Sequence, residues 1–149
     1  MKARQLLLLV CIFALATSAY ARQFAVVADN DNTSTNLTSA ELVKIFSGHT
    51  RTWADGKPVK IILRDPNSAE MELAARKLFN MTGDQARAFA RAHSDIMTIA
   101  DSDEAVIRFV ATTRGAIGLV DLYSLTKDVS VIKVDGKLPV EQGYFLRGN

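Results

Sequence analysis

Arg64 and Ser68, four residues apart, are the side chains of this sequence best suited to hold an anion. A planar guanidinium can grip two oxygens of a phosphate in a fork, and a hydroxyl can add a third hydrogen bond. The stretch reads Arg64-Asp65-Pro66-Asn67-Ser68-Ala69-Glu70, and Arg64, Asn67, Ser68, Ala69 and Glu70 make up the candidate ligand-binding set. Glu70 and Asp65 act in the opposite sense. A carboxylate a few ångströms from a bound anion repels it by roughly 1 to 4 kcal/mol, depending on the local dielectric. The same residues therefore admit two readings. One is an oxyanion site; the other is a polar cluster in which Asn67 and Glu70 form a capping box and Arg64 pairs with Asp65 or Glu70.

Elements on either side must position this loop. Residues 59–63 are apolar enough for a strand central in a sheet, so Arg64 sits at a strand's carboxyl end, where ligands of open α/β sheets tend to lie. Met71, Ala74, Ala75, Leu78 and Phe79 then recur at helical spacing, and Asn67 or Ser68 caps that helix. Its free N–H groups and positive end would favour an oxyanion. Upstream, residues 24–28 read as a strand buried on both faces. Thr38 with Glu41 forms a capping box for a helix carrying Leu42, Ile45 and Phe46, which Gly48 can stop. Downstream, Thr82-Gly83 opens a helix with Ala86, Phe89 and Ala90. Asp101 with Glu104 is expected to cap another, with Val106, Phe109 and Val110 as its inward face. Strands at 116–120 and 129–134, a turn at Asp135-Gly136 and an extended piece near 144–146 complete the pattern. Strands interleaved with helices predict an α/β sandwich with a mixed or largely parallel sheet.

Residues 37–68, LTSAELVKIFSGHTRTWADGKPVKIILRDPNS, resemble one lobe of a periplasmic phosphate-binding protein, of the type 2 periplasmic binding protein fold. In that family a helix of the form LT-x-x-EL-x-x-IF-x-G leads through W-x-DG to a strand ending in Arg, and a Ser-bearing loop opens the next helix. Arg114-Gly115-Ala116-Ile117-Gly118-Leu119-Val120 is similar to the family's P-G-A-I-G-Y-V, with Arg and Leu at the Pro and Tyr positions. The likeness covers about residues 26 to 146. It implies that Arg64 and Ser68 correspond to the Arg and Ser ligands of the R-x-x-G-S-G-T loop. Asn67 and Ala69 stand where that loop has glycines, and Glu70 where it has threonine. The resemblance further implies a solute-binding protein that takes phosphate or a similar small oxyanion for uptake or sensing. Its partner would be a membrane transporter or another periplasmic protein, and a homodimer is compatible with a single lobe. An interaction module that keeps the fold without the ligand is the alternative.

Residues 1–21 have the form of a secretory signal: Lys2 and Arg4, an apolar run too short to span a bilayer, and Ala19-Tyr20-Ala21 as a cleavage site. The mature chain is then expected to be residues 22–149, one domain of the periplasm. The single cysteine, Cys11, falls in the segment removed. Losing Lys2 and Arg4 takes the bases from 18 to 16, equal to the 16 acids, which argues against a nucleic-acid partner. No cofactor or metal site is expected. Asp29-Asn30-Asp31-Asn32 begins like a calcium loop, but Thr33, Ser34 and Ala40 occupy positions that need other residues. His49 and His93 lack partners at ligand spacing, and without a G-x-S-x-G turn or an H-E-x-x-H helix the chain is not read as an enzyme. Trp53 reads as a loop anchor packed near Phe46.

Overall fold

The computed structural model describes residues 22–148, so the expected signal segment and Cys11 lie outside the described residues. Six strands form one mixed sheet: β1 (Phe24–Ala28), β2 (Asn36–Leu37), β3 (Lys60–Arg64), β4 (Met97–Ala100), β5 (Ala116–Asp121) and β6 (Ser130–Val134), in the order β2-β6-β1-β5-β3-β4. β3 runs parallel to both β4 and β5, whereas β1 is antiparallel to β5 and β6. The expected α/β sandwich is therefore present, and its sheet is mixed.

Period-two alternation splits the strands between two cores. Phe24, Val26 and Ala28 of β1 face one layer, and Ala25 and Val27 the other; all five are buried. The first layer holds α1 (Ser39–Phe46), a composite helical run and α3 (Gly83–Ala92). Phe46, Phe79 and Phe89 join them edge to face, with ring centroids 6.1 Å and 5.9 Å apart. The expected capping box of Thr38 with Glu41 starts α1, and α3 begins where Thr82-Gly83 is expected to open a helix, with a capping box of Thr82 and Gln85 that the sequence reading does not name.

The second layer is α4 (Asp103–Thr112), which buries Asp103, Val106, Ile107 and Val110. Gly118 of β5 permits its close approach. A Cβ there would stand 2.8 Å from Val106 Cγ1 and 2.9 Å from the Ile62 carbonyl oxygen. Two sequence expectations fail on this helix. Its cap is Ser102, whose Oγ accepts the Ala105 N–H at 3.1 Å, not Asp101 with Glu104. Phe109, expected in the core, is 48% exposed, because the stripe 103-106-107-110 turns position 109 outward.

Other differences are local. The helix expected after residue 68 is a 3-10 turn (Ala69–Met71), one α turn, α2 (Glu72–Ala74), and a π-helical turn (Ala75–Phe79) that ends at Asn80 with φ 51°. β4 has no counterpart in the sequence reading. It is a four-residue edge strand whose central Thr98 and Ile99 are exposed, so no apolar alternation marks it. The segment near 144–146 is not a strand. It lies along the start of β1, the Phe24 N–H donating to the Leu146 carbonyl at 3.0 Å, and buries Tyr144 and Leu146. Among the described residues no helix is long and apolar enough to cross a membrane.

Candidate functional site

Strand β3 delivers Arg64 to the carboxyl end of the parallel strands, beside the start of α4. Its side chain is 24% exposed and stands between two carboxylates. Nη1 donates to Asp103 Oδ1 at 3.4 Å, and Nη2 lies 3.7 Å from Glu70 Oε2. The two acids are not equivalent. Asp103 is buried, and its second oxygen accepts the Asp121 N–H at 3.1 Å and the Ser124 hydroxyl at 2.7 Å. Packed this way, Asp103 is a fixed counter-ion. The Glu70 side chain is 43% exposed and sits on the 3-10 turn. Its carboxyl is held below the usual carboxylate range first by its own backbone N–H and then, against partial desolvation, by the charge of Arg64.

Asp65 organises the loop between Arg64 and Ser68. The Arg87 guanidinium grips its carboxylate in a fork, Nε to Oδ1 at 2.9 Å and Nη2 to Oδ2. That pairing is the main cause that holds the Asp65 carboxyl below its ordinary value. Oδ1 also accepts the Asn67 N–H at 3.0 Å. The Asp65 carbonyl accepts both the N–H of Ser68 at 3.0 Å and its hydroxyl at 2.8 Å. Gly83, at the start of α3, lets the loop lie against that helix: a Cβ there would be 2.7 Å from Asn67 Oδ1.

Of the five candidate residues, Arg64 and Glu70 are brought together directly. Ser68 lies in the same loop, with its hydroxyl turned back on the Asp65 carbonyl. Asn67, Ser68 and Ala69 line a neighbouring groove of about 580 Å³ together with Arg76, Thr82 and Gly83. The Asn67–Glu70 capping box does not form; Ser68 occupies the cap position and its side chain makes no capping bond. Nor does Arg64 pair with Asp65, whose partner is Arg87. Sequence reasoning missed Asp103 and Arg87. Asp103 is one of three acids in Asp101-Ser102-Asp103-Glu104, and nothing in their spacing from Arg64 singles it out. Arg87 could have been suspected as one of two arginines on α3, but its partner could not.

Residues set aside from sequence have local partners. His49 Nδ1 is 2.7 Å from Ser47 Oγ, and His93 Nδ1 is 2.8 Å from the Phe89 carbonyl, so neither ring hydrogen-bonds to Ser68. Asp29 is buried and accepts the N–H groups of Asp31 and Gly115. The Trp53 Nε1–H donates to the Gly115 carbonyl at 2.9 Å, and its ring joins the Phe46 core as an anchor.

The described residues thus form a mixed sheet with an arginine at the carboxyl end of an interior strand, followed by a serine-bearing turn. The PBP superfamily domain matches residues 14–142, and the chain belongs to that family. Alkaline phosphatase L of Pseudomonas aeruginosa is 32% identical in an alignment 129 residues long that covers 74% of this chain and 35% of that protein. The chain thus spans about a third of the length of this curated relative. Among solved structures, PstS from Borrelia burgdorferi covers 87% of this chain and aligns over 56% of its own length, with TM-score 0.72 and 21% identity. An ABC-type phosphate transport receptor from Vibrio cholerae matches 87% of this chain over 55% of its own, with TM-score 0.64 and 18% identity. A putative phosphate ABC transporter substrate-binding protein from Clostridium perfringens, solved with bound phosphate, gives 0.65 and 18% over 80% of this chain and 48% of its own. The resemblance read in residues 37–68 is therefore matched by membership of the PBP superfamily and by a fold shared with these phosphate receptors.

Proposed function

We propose that this chain is a periplasmic solute-binding lobe that takes phosphate or a similar small tetrahedral oxyanion at Arg64 and Ser68, for uptake or sensing. The observation that carries the reading is the Arg64 guanidinium at the carboxyl end of β3, with Asp103 fixed on Nη1 and the half-exposed Glu70 facing Nη2. An arginine so oriented by a buried carboxylate needs little reordering to fork onto an anion. Ser68 would release the Asp65 carbonyl and donate its hydroxyl to the ligand, and Asn67 and Ala69 would frame it. The structural neighbours from Vibrio cholerae and Clostridium perfringens, a phosphate transport receptor and a putative phosphate ABC transporter substrate-binding protein, support the ligand class and a membrane transporter as partner.

Calorimetric titration of residues 22–149 with phosphate, sulfate and acetate tests the proposal. Heat of binding with phosphate that disappears in Arg64→Ala is expected; no heat for any anion at millimolar concentration would sink it. A second reading is favoured by the same guanidinium, which already has two carboxylate neighbours: a periplasmic interaction module that keeps the fold and no longer takes a ligand. Melting temperatures insensitive to anions, with a partner protein or a stable dimer recovered on purification, would favour that module.

A further inference from the structure

Glu70 and Asp103 hold opposite edges of one guanidinium under different constraints, and the difference bears on ligand entry. Asp103 cannot leave Arg64 without also abandoning the Asp121 N–H and the Ser124 hydroxyl inside the protein. Glu70 is tied locally, first by its own backbone N–H, and not into the protein interior. Its carboxylate is 3.7 Å from Arg64 Nη2, longer than a good ion-pair contact, and its side chain is 43% exposed. On its other side lies a polar depression of about 460 Å³, lined by Arg22, Glu70, Glu72 and Arg76. Arg22 there already contributes favourable charge to Glu70. A carboxylate between two arginines, one at the candidate site and one outside it, has two places to go.

We infer that Glu70 is a tethered competitor for the anion: its carboxylate covers Arg64 Nη2 when the site is empty and swings toward Arg22 when a tetrahedral oxyanion arrives. Glu70 is thereby the residue that sets anion affinity, while Asp103 orients the arginine in both states. This inference rests on the anion reading of Arg64. Two monoanions near one guanidinium repel each other, so the ligand must displace Glu70 before it can bind. The polar depression lets that carboxylate keep both solvent and a cation once displaced.

The test is phosphate titration, by calorimetry at low ionic strength, of the wild type, Glu70→Gln, Glu70→Thr, Arg22→Ala and the double variant Glu70→Gln/Arg64→Ala. Removing the competing charge is expected to tighten phosphate binding roughly tenfold in both Glu70 variants. The double variant loses that gain, and Arg22→Ala weakens binding several-fold. If the wild type binds through Arg64 and the Glu70 variants bind no tighter, the competitor is overturned and the anion site stands. If no protein in the series binds phosphate, Glu70→Gln and Glu70→Thr included, both fall.

Discussion

Asp103 decides more at the residue scale than its place among three neighbouring acids suggests. Its carboxylate joins β3, the start of α4 and the turn after β5 through Arg64, Asp121 and Ser124. Asp103→Ala is expected to cost about 2 kcal/mol in chemical denaturation, below the full penalty for a broken buried pair because Arg64 keeps some solvent. Asp65 gives a pH signature. Arg87 depresses its folded carboxyl, so the stabilisation is present above the ordinary value of about 3.8 and is lost as pH falls through the lower folded value. Stability of the wild type over Asp65→Asn should therefore be complete near neutral pH and vanish in strong acid. A gap that stayed constant down to pH 2 would contradict this. Arg64 and Ser68 were legible in the sequence because an arginine ending an apolar run and a serine before a helix each carry a local signal. Glu70 beside Arg64 was legible as well, but Asp103 and Arg87 were not, since they reach Arg64 and Asp65 only through the tertiary fold.

At the scale of elements, α4 shows how a periodic pattern can be read one position out of phase. Val106, Phe109 and Val110 all suit a helix face, but the buried stripe runs through 106, 107 and 110. Phe109→Ser should change stability by less than about 0.5 kcal/mol, whereas Val106→Ala should cost about 2 kcal/mol; denaturant midpoints of the two variants check the phase. Gly118→Ala would drive a methyl into Val106 and the Ile62 carbonyl and should cost about 1 to 3 kcal/mol, read as a lowered melting temperature. The capping box at Thr38, the helix start at Thr82-Gly83 and the glycine stop at Gly48 were read correctly because each is complete within four residues or fewer. β4 escaped because an exposed edge strand of four residues has no alternation to display. The 3-10, α and π succession over 69–79 escaped because Met71, Leu78 and Phe79 satisfy an ordinary helical spacing nearly as well.

Across the whole molecule, one mixed sheet separates two cores and brings the ends of β3, β5 and α4 together, with Arg64 at their meeting point. The chain belongs to the PBP superfamily and spans about half the length of the phosphate receptors it resembles in fold. The central claim is that Arg64 holds an oxyanion. Its most direct test is nuclear magnetic resonance of the arginine side chains during phosphate titration, with Arg64 assigned by its substitution. The Arg64 guanidinium signals should shift progressively and saturate, while those of Arg87, committed to Asp65, stay nearly still. Arg64 signals that do not move up to millimolar phosphate would contradict the claim.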